Sequence, residues 1–171
     1  RPDGKVLFFP HDNDFAFNAN RGIFENRELS KLATDPAKRR RYLGHLHDIC
    51  STVYNQAWMS RWTSHFDECV PGGNVFNDDL SYINSRSNYI LGQVSSQVSQ
   101  VPFAITTNGG NNFPSASSPV TIAGQGWVNI DELRFAGSEQ ALAVTWTGNN
   151  AWEISVALAP GNNLISLEAY D

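Results

Sequence analysis

The residues whose type and spacing could do chemistry are His11, Asp12, Asn13 and Asp14, which follow the apolar run Val6-Leu7-Phe8-Phe9-Pro10. Side chains alternate on an extended backbone, so Asp12 and Asp14 point to one side. Two carboxylates held that close repel unless a cation lies between them. Hard oxygen donors of this kind suit Mg2+ or Mn2+ carried on a nucleotide phosphate. The competing reading is a polar loop whose acids cap turns, and the spacing by itself leaves both readings open.

The remaining candidates reduce to structure. His45 and His47 are two apart on an expected helix and do not share a face, so they make no metal pair. His65 stands alone. Lys38-Arg39-Arg40-Arg41 is a basic run in an acidic chain and is expected to be a solvated face. Trp58, Trp62 and Phe66 fall at i, i+4 and i+8, the spacing of a core stripe. Cys50 and Cys69 leave two readings open: one disulfide, or a buried free thiol at Cys50 on the apolar side of its helix. No Cys/His set has zinc spacing, and neither a phosphate-cradling glycine loop nor a nucleophile elbow occurs.

Two unlike sets of elements must position these residues. Val6–Phe9 reads as a strand, followed by a short helix around residues 25–34. Asp35-Pro36 is a helix start, with Asp as N-cap and Pro in the first turn. Tyr42, Leu43, Leu46, Ile49, Cys50, Val53 and Tyr54 then recur at helical spacing. A third helix carries Trp58 to Phe66 and stops before Pro71-Gly72-Gly73, and a fourth begins after Asn77-Asp78. From Pro102 the period becomes two. Strands are expected at 103–107, 119–123, 127–135, 141–147, 151–158 and 163–170. Trp152, Ile154, Val156 and Leu158 alternate with Glu153, Ser155 and Ala157, as a half-buried antiparallel strand requires. Several short strands at this spacing argue for an antiparallel sandwich, with core packing the default for Trp146 and Trp152. The expected fold class is α plus β in two domains, residues 1–100 and 101–171.

With 41% hydrophobic and 17% charged residues the 171-residue chain has the composition of a folded globular protein. Its net charge of −5 argues against broad attraction to nucleic acid or anionic membrane. No apolar run reaches the ~18 residues that span a bilayer. The chain opens at Arg1 and enters a strand almost at once, so it is expected to be an internal piece whose partner strands are encoded upstream.

The stretch Phe8-Phe9-Pro10-His11-Asp12-Asn13-Asp14-Phe15-Ala16-Phe17 resembles the "phe-x-pro-trp-asp-x-asp-x-x-phe-gly" segment of the CotH family, atypical kinases related to spore coat protein H. Asp35-Pro36 leading into Arg39 and Tyr42 is similar to that family's "asp-pro-x-x-arg-x-x-tyr" helix opening. The segment Leu80–Ile90, with Arg86, resembles its closing helix. The likeness covers residues 1–98 and implies the helical end of a kinase-like C-lobe. It makes Asp12 the metal-binding acid, comparable in role to the DFG Asp of protein kinases, and Asp14 a second ligand. His11 stands where the family has Trp, and Asn18 where it has Gly; Asn tolerates the left-handed conformation that Gly favours. Phe15 and Phe17 complete the motif. The phosphate cradle, its Lys and the acceptor-side acid lie N-terminal to this motif in the family, so the segment is expected to be inactive in isolation.

Residues 103–171 resemble the immunoglobulin-like modules that follow CotH domains in multi-module bacterial surface proteins, with Val144-Thr145-Trp146-Thr147 and Leu158-Ala159-Pro160-Gly161-Asn162-Asn163 as the matching phrases. The resemblance implies a parent that transfers phosphate from ATP, with Mg2+ or Mn2+, to a protein hydroxyl. The alternative is a non-catalytic envelope or surface scaffold with a pseudokinase segment and a β-sandwich that serves as spacer or binds carbohydrate through an exposed Trp. Either way the implied setting is extracellular or cell envelope.

Overall fold

A computed structural model describes residues 21–73 and 75–171. The motif residues His11, Asp12, Asp14, Phe15, Phe17 and Asn18, and the strand expected at Val6–Phe9, lie outside the described residues. The chain is α plus β, with helices first and antiparallel sheets after them.

Helix α1 is Arg27–Leu32, capped by Asn26, whose side chain accepts from the amides of Glu28 and Leu29. Helix α2 is Pro36–Thr52. Its start is as expected: the Asp35 carboxylate accepts from the Ala37 and Lys38 amides, satisfying two of the donors a helix start leaves free. Asn55 ends this turn and begins α3, Gln56–Asp67, accepting from the Trp58 amide while its own amide donates back to the Cys50 and Ser51 carbonyls. Helix α4 is Asn77–Gln97. Helices α2 and α4 pack along Leu43 and Cys50 on one side and Ile90 and Val94 on the other, and α3 lies on α4.

Six strands follow: β1 (Ala104–Ile105), β2 (Val120–Gln125), β3 (Glu132–Phe135), β4 (Thr145–Trp146), β5 (Ala151–Val156) and β6 (Leu167–Tyr170). One sheet has the order β1-β2-β5-β4, and β3 pairs with β6 in another, all antiparallel. Trp152, Ile154 and Val156 are buried and their neighbours exposed, the alternation expected of β5. Their core also takes Ile122 from β2 and Leu133 from β3, so the two sheets share one apolar interior. Register places Gly124 opposite Trp152, and a Cβ at Gly124 would come within 2.0 Å of the indole. Glycine is what lets this strand pass the ring.

Three expectations are corrected. The strand at 127–135 begins only at Glu132, because the Trp127 and Ile130 carbonyls are taken by Arg40 and cannot join a ladder. The strands at 141–147 and 163–170 shrink to Thr145–Trp146 and Leu167–Tyr170; the Asn163 amide folds its loop back onto Ala159 and Gly161 instead of extending it. Trp58, Trp62 and Phe66 are not a core stripe: they are 37%, 43% and 51% exposed, and no residue of α3 is buried. The Arg61 guanidinium sits 4.1 Å from the Trp58 ring centroid, so this face is dressed by a cation instead of packed.

Candidate functional site

The residues of the first motif lie outside the described residues; Arg86, from the third, lies within them. It lies on α4, and one turn further Tyr89 receives its guanidinium at 5.2 Å from the ring centroid. Arg86 helps line a groove of about 360 Å3 with Arg21, Glu25, Tyr42, Leu46 and Ile90. Tyr42 comes from the second motif and Arg86 from the third, so the α2–α4 packing brings the two together, close to the point where residues 1–20 join the described chain.

The groove is electrostatically incomplete. Arg86 Nη1 is buried and has no hydrogen-bond partner among the described residues, an arrangement that costs free energy unless an acceptor supplies one. Arg21 is spent on Glu25 at 3.0 Å, and the Tyr42 hydroxyl donates to the Ile23 carbonyl at 2.7 Å. Burial pushes the Tyr42 phenol up, with the Arg86 charge pulling the other way. The same balance acts on Tyr54 and on the Cys50 thiol, both raised by burial and eased by Arg86. The unpaired guanidinium donor suits a carboxylate or phosphate oxygen. Asp12 and Asp14, the acids expected to hold Mg2+ or Mn2+, lie outside the described residues. Among the described residues no three His, Cys, Asp or Glu side chains gather into a metal site.

Other sequence candidates stay apart. His45 is exposed and accepts weakly from Arg41 at 3.4 Å, while His47 packs edge-on against Trp127 at 4.8 Å. His65 is exposed beside Phe66. Cys50 is buried and Cys69 exposed, and both thiols are free, which resolves the open pair of readings against a disulfide. Trp152 is fully buried and Trp146 lies under a guanidinium, so the indole platform imagined for sugar stacking is not formed by either.

The basic run hides the residue that the sequence reading misplaced. Arg40 is not solvated: it is 3% exposed. Its Nη2 donates to the Trp127 carbonyl at 2.8 Å and the Ile130 carbonyl at 2.6 Å, and its guanidinium lies 3.3 Å from the Trp146 ring centroid. Desolvation lowers its pKa to about 10, against the opposing charge of Asp131. One turn on, Gly44 meets the Val128 carbonyl so closely that a Cβ would stand 2.7 Å from it. Leu43 and His47 complete this face, and Trp127 Nε1 donates to the Val98 carbonyl at the end of α4. The signal was present in the spacing: Arg40, Leu43, Gly44 and His47 sit at i, i+3, i+4 and i+7, one helical face.

Compared with known proteins, the chain matches no family model, no curated protein and no solved structure. Among the described residues no helix is long and apolar enough to cross a membrane.

Proposed function

We propose that this chain is the metal-holding and helical end of a CotH-type atypical kinase, followed by an immunoglobulin-like module. In this reading Asp12, seconded by Asp14, binds Mg2+ or Mn2+ on ATP, and the acceptor is a protein hydroxyl. The observation that supports it is the convergence of Tyr42 and Arg86 on one groove with a buried, unpaired guanidinium donor. These residues come from two separate motifs, and the donor has no acceptor among the described residues. The groove by itself has no phosphate cradle, so phosphoryl transfer needs parts beyond these residues. The test is Asp12→Asn in the intact parent protein. Metal-dependent nucleotide turnover should be abolished, and unchanged turnover would end this assignment.

A second reading, a non-catalytic surface scaffold, is favoured by the buried Arg40 contact, which ties helix α2 to the loop between β2 and β3. It expects no turnover in the parent with or without Asp12, and a helical part that serves as a rigid mount.

A further inference from the structure

The β half carries a cleft of about 900 Å3 between the loop that follows β1 and the loop that precedes β6. Its lining contains no Asp, Glu, Lys, Arg or His among the described residues; it is built of amides, hydroxyls and apolar side chains. A charged ligand would find no counter-charge there, and a hard cation no carboxylate. A wholly apolar ligand would strand the amides on the rim.

The two rims are held in shape by their own side chains. The Asn108 amide donates to the Asn111 and Asn112 carbonyls, and the Asn111 amide to the Asn108 and Gly109 carbonyls. On the facing loop the Asn163 amide donates to the Ala159 and Gly161 carbonyls, and its oxygen accepts from the Ala159 amide. Ser118 ties the rims together, donating to the Leu158 carbonyl and accepting from the Leu158 amide. Such pre-organisation lowers the cost of binding. With Asn108, Asn111 and Asn163 committed, Asn112 and Asn162 form no side-chain hydrogen bond among the described residues and keep both donor and acceptor for a ligand. Phe113, 38% exposed, offers part of its ring beside them, and Leu164 is 96% exposed.

We infer that this cleft is a binding site for a neutral oligosaccharide. A sugar ring has a rim of hydroxyls, each both donor and acceptor, and faces of C–H groups. Uncharged amides meet the rim, and an exposed phenyl ring and Leu164 meet the faces. A concave site of this volume with placed polar groups beside apolar side chains has the size of a small-ligand site, and its mixed lining suits a sugar better than an apolar ligand. The site uses neither Asp12 nor the groove at Arg86, so it does not rest on the kinase reading; it gives the β module of the scaffold reading a carbohydrate cleft in place of an exposed Trp.

The test is titration of the full chain with cellohexaose, maltohexaose and chitohexaose, followed by calorimetry and amide chemical shifts. At least one should bind at millimolar concentration or below, with shifts confined to residues 107–119 and 158–165. Asn112→Ala and Asn162→Ala should each weaken it about tenfold, the loss of one hydrogen bond of about 1.4 kcal/mol. Leu164→Arg adds a charge at an exposed position that folding does not need, and should also block the cleft. No binding of any of the three sugars would overturn the inference. So would affinity unchanged by the two Asn substitutions, or tighter binding of an oligogalacturonate, whose carboxylates the cleft should not favour.

Discussion

Replacing Arg40 with Met tests how the two halves of the fold are held together. The substitution keeps a stem of similar length, so apolar packing along α2 is largely retained. It deletes the two charge-assisted hydrogen bonds to the Trp127 and Ile130 carbonyls and the stacking on Trp146. Hydrogen bonds to a charged group contribute about 1.5–3 kcal/mol each, and a desolvated cation–π contact about 2 kcal/mol. Against that loss stands the relief of guanidinium desolvation, the cause that pulls the Arg40 pKa down to about 10. Two carbonyls are left dry in the variant, so the balance stays unfavourable, at about 3 kcal/mol net. For a chain of this size that lowers Tm by roughly 6–12 °C. Arg40→Lys should fall between, because a single ammonium cannot fork to two carbonyls and lie flat on an indole. Arg41→Met, at the exposed neighbouring position, should stay within about 0.5 kcal/mol of wild type. The assay is urea unfolding followed by tryptophan fluorescence, with thermal melts alongside. A loss below about 1 kcal/mol for Arg40→Met, or equal losses for Arg40 and Arg41, would refute the claim that a buried guanidinium joins the halves.

Two glycines should respond with opposite signs. Gly124→Ala drives a Cβ into the Trp152 ring and the Ala104 carbonyl, and should cost about 3 kcal/mol or prevent folding, read by the same unfolding curves. Gly92→Ala, inside α4 with nothing within 4 Å of the new Cβ, should stabilise by about 0.5–1 kcal/mol. The thiols should separate by reactivity. Cys69 is exposed and labels promptly with a thiol reagent at neutral pH. Cys50 is buried, and burial raises its pKa and starves it of thiolate, so it labels only on unfolding. Equal labelling rates in the native protein would contradict the packing of α2 on α4.

Local signals carried the helices. Asp35-Pro36 marked the start of α2 because cap chemistry is local, and the breaker Pro71-Gly72-Gly73 marked the end of α3 for the same reason. Strict alternation in β5 was legible because one face is buried and the other wet. What failed depended on distant partners. Nothing near Trp127 shows that its carbonyl belongs to an arginine 87 residues earlier, so a loop was read as strand. Charge composition put Arg40 in water, although its register already placed it beside Leu43 and Gly44. The aromatic spacing of α3 was helical as expected, but periodicity reports a shared face and is silent on whether anything covers it. The cleft of the β half has no sequence signature, because its amides are divided between two loops some 50 residues apart that only the fold brings together.

Helix α2 is where these threads meet. Arg40, Gly44 and His47 face the segment 127–130, while Tyr42 and Leu46 lie on the opposite side and line the groove with Arg86. One helix therefore forms a wall of two neighbourhoods. The core around Leu43, Cys50, Ile90 and Val94 also contains Trp127 and Val128, so the helices bury part of their apolar surface against the β half. Removing that half would uncover Leu43 and Val94, both fully buried, and leave Arg40 without its acceptors. The α2 wall of the groove is thus backed by the loop between β2 and β3. Tyr42 and Leu46 reach the groove from a helix whose far side is already held by the segment 127–130, while Arg86 reaches it from α4.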